Sequence, residues 1–131
     1  MPTGFQFLDP ICAVPGTGFV CWPTIAPSSV DVYTASDGVP GWADSLLITT
    51  LKHGTVYRLK LSDKQLPAGD LIPYWTTANR YRDIAIHPGG RAFYVATDRR
   101  GLLRDLAGRP TRTPDNPGAI LEFRYDDSSG E

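Results

Sequence analysis

The chain has 131 residues, 13 of them Lys or Arg and 14 Asp or Glu, for a formal net charge of −1. That balance supplies no broad basic face for nucleic acid, and no apolar run approaches the roughly 20 residues a membrane-spanning helix needs. With 13 Gly, 12 Pro and glutamate only at 122 and 131, turn formers are plentiful and helix formers scarce, which predicts an all-β chain.

The first 18 residues are rich in Pro and Gly, have no period, and read as an N-terminal loop. Met1–Pro10 carries neither the basic flank nor the apolar core of a signal peptide. Phe19 to Pro27 is a mixed aromatic and proline connection. Ser29 to Thr34 alternates, with Val30, Val32 and Thr34 on one face, and reads as a short strand. Ser36-Asp37-Gly38 and Pro40-Gly41 mark turns. Ser45 to Leu51 is a continuous apolar and β-branched run, expected as a buried strand. Across the turn Lys52-His53-Gly54 it meets Thr55 to Leu61, a second alternating run, so the two predict a hairpin. Leu71 to Thr76 is a further strand, weakened by Pro73. Asp83–His87 and Arg91–Thr97, joined through Pro88-Gly89-Gly90, form the clearest hairpin of the chain. Arg99 to Pro117 reads as a polar surface loop with little to pack, Ala119 to Tyr125 as a last strand, and 126–131 as a tail.

Six or seven short strands with close turn signals leave sandwich, barrel and propeller open. An apolar strand, a Pro-Gly-Gly turn, an aromatic strand and an Asp recur in propeller blades. A blade takes about 40–45 residues, so the chain holds about two blades and part of a third, arranged as antiparallel meanders. Two blades cannot close a ring, because each buries its faces against neighbours. Exposed edges and an apolar flank are therefore expected, and with them missing blades from a complementary chain, or self-association.

Arg80-Tyr81-Arg82-Asp83 is the most informative tetrad. In a strand, Arg80 and Arg82 share one face and Tyr81 takes the other. Two guanidiniums on one face need an anion between them, and arginine's planar fork suits carboxylate. The plainer alternative is a solvated rim with Asp83 as partner. Lys52 sits at a turn after a buried strand, where a solvated lysine is the plain reading. His53 and His87 have no second ligand at metal spacing and read as turn residues rather than bases. Trp22, with Pro23 and Thr24, stands in a non-helical segment where an indole face serves either a sugar ring or the core. Cys12 and Cys21 leave two readings open, a pair of thiols or a disulfide across a Pro/Gly loop; two cysteines are too few for a zinc site. Ser/His/Asp arrangements, phosphate-binding glycine loops and calcium loops are not recognisable.

The run Cys21 to Ser29 (Cys-Trp-Pro-Thr-Ile-Ala-Pro-Ser-Ser) resembles a signature of the glucose/sorbosone dehydrogenase family. So do Gly41-Trp42 with Ser45-Leu46-Leu47, Leu51-Lys52 with Gly54, Asn79 to Asp83, and Asn116-Pro117-Gly118-Ala119, in family order from about Cys12 to Tyr125. The resemblance maps residues 19–125 onto the C-terminal blades of a six-bladed β-propeller. Its members are typically periplasmic quinoproteins that use pyrroloquinoline quinone and calcium to oxidise aldose sugars. It implies that Lys52, Arg80 and Arg82 bind the quinone, and that Phe19, Trp22 and Thr24 line the sugar side. Phe19 lacks the hydroxyl a tyrosine would offer there. Cys12 and Cys21 resemble a cysteine pair of some members, which implies a disulfide. The family's general-base histidine and calcium ligands lie upstream of the matched region, so no catalytic or metal-binding residue is assigned. His53 stands where arginine is common and is not promoted to base. The expectation is a partial oxidoreductase, inactive alone. The alternative is a non-catalytic, propeller-derived binding or interaction module, as in some relatives of this propeller.

Overall fold

The structure, a computed structural model, describes residues 25–126, and among these there is no helix. Strands β1 (Pro27–Tyr33), β2 (Ser45–Thr50), β3 (Gly54–Lys60) and β4 (Ile72–Thr77) pair in chain order as an antiparallel meander. Strands β5 (Tyr81–Ile86), β6 (Ala92–Thr97) and β9 (Ile120–Arg124) form a second antiparallel sheet in that order. Between β6 and β9 the chain makes a two-stranded ribbon, β7 (Leu103–Arg104) with β8 (Pro110–Thr111). The architecture is an all-β partial propeller: one four-stranded blade and three strands of the next, with no closed barrel. The loop expected over residues 1–18 lies outside the described residues, as does the tail beyond residue 126.

Pairing register decides which side chains enter the core. Tyr33, Asp31 and Ser29 of β1 stand opposite Ser45, Leu47 and Thr49 of β2, which stand opposite Lys60, Arg58 and Val56 of β3. Tyr33, Leu47, Thr49 and Val56 on this face are fully buried. The other face carries Val30, Val32, Leu46, Ile48, Tyr57 and Leu59, with Val30 60% and Val32 48% exposed. The alternation read in β1 is present with its apolar members outward, because Tyr33 takes the core side. Alternation gives the period of a strand and leaves open which face is buried.

Between the sheets lie Tyr33, Trp42, Leu47, Val56, Tyr81, Ile84, Phe93 and Val95. Aromatic rings span the gap: Tyr33 stacks on Phe93 at 5.8 Å, and Trp42 meets Phe93 at 5.5 Å. Trp75 lies parallel to Phe123 at 4.7 Å, linking β4 to β9. A register shift between β3 and β4, with Trp75 at φ 56°, turns this indole inward. The Tyr81 hydroxyl donates to the Trp75 carbonyl at 2.6 Å and fixes that turn. Pro73 is inside β4, which among the described residues is an edge strand paired with β3; an edge strand tolerates the missing N–H.

Residues 99–117 depart from expectation. Leu103 is fully buried, and the segment closes over the end of both sheets instead of lying loose on the surface. Tyr33 shows the tightness of packing at the opposite end. Its hydroxyl donates to the Gly90 carbonyl and accepts from Val39 N at 2.7 Å. A Cβ on Gly90, whose φ is +76°, would lie 2.4 Å from Ala35 Cβ. Tyr33→Phe leaves a buried carbonyl and amide without this partner, and should cost about 1–3 kcal/mol of stability. A fall in the urea midpoint with unchanged slope would show it; an unchanged midpoint would remove the hydroxyl from the account.

Candidate functional site

One end of the two sheets gathers cations. Lys52 is in the β2–β3 turn, where Thr50 Oγ1 donates to the carbonyls of His53 (3.0 Å) and Thr55 (2.8 Å). Gly54 then opens β3 against the Tyr81 ring, which a Cβ would meet at 2.6 Å. The Lys52 turn therefore rests directly on the start of β5. Lys52 is only 7% exposed. Burial, reinforced by the charge of Arg104, lowers its pKa to about 8. Burial likewise lowers the pKa of His53, helped by Arg104 and then Lys52, so this imidazole is held neutral. His87 is exposed at the far end of β5, its Nδ1 accepting from Gly89 N at 3.1 Å.

Arg80 and Arg82 converge by a route the alternation argument does not contain. Tyr81 pairs with Thr97 and Asp83 with Ala96, so Arg82 is an extra residue in β5, a bulge that re-aims its side chain. Both arginines meet Asp98, which follows β6. Arg80 Nε donates to Oδ2 at 2.9 Å, Arg82 Nε to Oδ1 at 2.9 Å and Arg82 Nη2 to Oδ2 at 2.8 Å. The anion expected between the two guanidiniums is thus Asp98 and not Asp83, whose Oδ1 accepts from Ile84 N at 2.9 Å. The Arg82 fork, then that of Arg80, holds the Asp98 carboxyl below the usual aspartate range against an opposing desolvation. Arg80 is 14% and Arg82 52% exposed, so Arg82 offers the open edge of the cluster.

Two further contacts join Lys52 to this cluster. Arg80 Nη1 donates to the Leu102 carbonyl at 2.7 Å, and Arg104 N donates to the Lys52 carbonyl at 2.6 Å. The ribbon thus touches both the first blade's turn and the second blade's arginine. Asn79, fully buried, completes the frame. Its amide donates to Thr77 Oγ1 (2.9 Å) and Asn116 Oδ1 (3.1 Å), and its oxygen accepts from Asn116 N (2.8 Å). Two motifs read separately in the sequence are here one hydrogen-bonded unit. Asp98 and Arg104 were missed as site residues. The need for an anion between two arginines is the signal for Asp98, and nothing in the sequence pattern marks Arg104.

Phe19, Trp22, Thr24, Cys12 and Cys21 lie outside the described residues. Among the described residues no group of three or more His, Cys, Asp or Glu could hold a metal ion, and no helix is long and apolar enough to cross a membrane.

The family model described as Glucose / Sorbosone dehydrogenase matches residues 15–104. Quinoprotein glucose dehydrogenase B of Acinetobacter calcoaceticus is 37% identical over 123 residues, covering 92% of this chain and 25% of that protein. The chain spans about a quarter of this relative's length.

Asp98 generates a pH expectation. Its folded pKa lies below the unfolded value of about 4. Pairing with the arginines therefore stabilises fully above that value, and this is lost as pH falls through the lower folded one. Asp98→Asn should be less stable than wild type near pH 7, and the gap should narrow on acidification below about pH 4. Urea midpoints across this range test it, and a gap independent of pH would exclude the pairing as its source.

Proposed function

Because the chain belongs to the glucose/sorbosone dehydrogenase family, we propose that it supplies the cofactor- and sugar-binding part of a quinoprotein sugar dehydrogenase, with Lys52, Arg80 and Arg82 holding pyrroloquinoline quinone. The observation that carries this reading is Lys52, buried beside a second cation, Arg104, at the same sheet end as the Arg80–Asp98–Arg82 cluster.

The donor set fits a flat tricarboxylate. Asp98 neutralises one of the two guanidiniums and fixes both in orientation, leaving the half-exposed edge of Arg82 for an incoming carboxylate. Lys52 at about 8 is mostly protonated near neutral pH and can donate from Nζ to an oxygen that gains negative charge. When bound, the quinone supplies the two-electron oxidation of the sugar; the residues of this chain orient it and stabilise charge. Trp22, Thr24 and Phe19 take the sugar side by family resemblance, with an aldose as substrate and the periplasm as the expected compartment. Neither histidine is assigned as a base: His53 stands where arginine is common in the family, and His87 follows the far end of β5, away from the cluster. The remaining blades, from a longer chain or a complementary one, would supply the proton acceptor and the calcium site.

Titration of the chain with pyrroloquinoline quinone tests the reading. Arg82→Ala should weaken binding roughly tenfold or more, the scale of a lost hydrogen bond to a charged group. Affinity should hold below Lys52's pKa of about 8 and fall as pH rises through it, since the bound anion favours the protonated amine. Lys52→Met should bind weakly with that fall abolished. Identical weak binding in all variants would favour a non-catalytic interaction module. Dye-linked glucose oxidation by the chain alone with added quinone is expected to be absent; robust turnover would overturn the partial-enzyme reading.

A further inference from the structure

Residues 115–119 bind both chain segments from which the Arg80–Asp98 pair springs. Asp115 N donates to the Ala78 carbonyl at 2.8 Å, and the Asn116 amide pairs with that of Asn79, the residue before Arg80. On the Asp98 side, the Asn116 carbonyl accepts from Thr97 Oγ1 at 2.5 Å, and Ala119 N donates to the same hydroxyl at 2.9 Å. Gly118 N donates to the Asp98 carbonyl at 3.2 Å. Asn116 thus grips the stem of Arg80 through its amide and the stem of Asp98 through its carbonyl. The ribbon bounds Arg80 elsewhere: at Gly101, φ +137°, the guanidinium takes the space of a side chain, Nε lying 2.5 Å from the position of a Cβ.

This clamp stands where the sheet itself is weakest. The extra residue at Arg82 interrupts the β5–β6 ladder between the Tyr81–Thr97 and Asp83–Ala96 pairs. Beyond Tyr81, the bond from Asp98 N to the Arg80 carbonyl, 2.9 Å, joins the two stems. Yet three N–H groups meet the Asp98 oxygens at 2.8 to 2.9 Å, and forked contacts of this kind tolerate little misalignment. Asn79 suits the role. It is fully buried, its amide group donates twice, and the Asn116 N–H fixes which side-chain atom is the oxygen. We propose that Asn79 and Asn116 are positioning residues, whose amide pair sets the distance between the Arg80 and Asp98 stems and so aims the edge of Arg82 at an incoming carboxylate. The carboxylate rests on the quinone reading; the aiming of Arg82 does not.

The test compares the 131-residue chain with Asn79→Ala and Asn116→Ala, each also combined with Arg82→Ala. Two readouts are taken on folded protein: the titration of the Asp98 carboxyl by ¹³C NMR, and the affinity for pyrroloquinoline quinone. In both single variants the Asp98 midpoint should rise toward the ordinary value of about 4. The rise should be larger in Asn79→Ala, which loses three side-chain bonds, than in Asn116→Ala, which loses the Asn79 Nδ2 to Asn116 Oδ1 bond. Quinone binding should weaken about three- to tenfold, the scale of a weakened hydrogen bond to a charged group. That loss should vanish in the Arg82→Ala background, because the clamp acts through this arginine. Asn116→Ala keeps its backbone N–H and carbonyl contacts, so it carries the test by itself if Asn79→Ala does not fold. An unmoved Asp98 midpoint, even with a lowered urea midpoint, makes the pair merely structural and overturns the proposal. Unchanged quinone affinity overturns it too, as does a loss that persists without Arg82. A raised Asp98 midpoint with no quinone binding by any chain, wild type included, upholds the aiming of Arg82 and sinks the quinone reading instead.

Discussion

Two guanidiniums brought to the end of one antiparallel pair repel each other, and the site rests on how that repulsion is resolved. Asp98 receives three N–H donors from Arg80 and Arg82, each within 2.9 Å. Such charge-assisted, forked contacts are short and directional. They set the orientation of both arginines, and Asp98 is itself fixed by its backbone: its N–H donates to the Arg80 carbonyl, and its carbonyl accepts from Gly118 N. An exposed ion pair is worth little on its own. This one matters as geometry, because it presents Arg82 as a rigid edge rather than a mobile side chain.

The frame around the cluster is built from contacts between distant parts of the chain. Asn79 and Asn116 bind each other through both amide atoms, Ser28 Oγ donates to the Tyr81 carbonyl at 2.5 Å, and Thr49 shares its hydroxyl with Ser28 and Ser29. The polar end of the sheets is thus satisfied internally, while the aromatic set around Trp42 and Phe93 fills the space between them. Arg58 crosses the boundary, its guanidinium 5.3 Å from the Trp42 ring centre. The outer face of the first sheet, with Val30 and Val32, has no such cover among the described residues.

Much of this was legible in the sequence. The β2–β3 and β5–β6 hairpins announce themselves by period and by Gly-containing turns, and Pro73 reads correctly as a mark against a central strand. What escaped is what breaks the period. The bulge at Arg82 shifts register by one residue, so the partner of the arginines is the residue after the neighbouring strand and not the adjacent Asp83. The inward turn of Trp75 depends on a backbone conformation no pattern of side chains reveals. Residues 99–117 look polar because their anchoring is done by backbone groups and by one buried leucine. Lys52, Arg80 and Arg82 were singled out by motif, and they do gather at one sheet end; the ribbon that joins them has no motif.

Gly101 has a consequence for how such a site can change. Its missing side chain is the room in which Arg80 lies. Any other residue there displaces the guanidinium, and a smaller residue at 80 leaves a gap that glycine cannot fill. The two positions are therefore coupled: a side chain at 101 is strained at φ +137° and pushes Arg80 away from Asp98 and the Leu102 carbonyl, so the ribbon's backbone sets where that arginine can point.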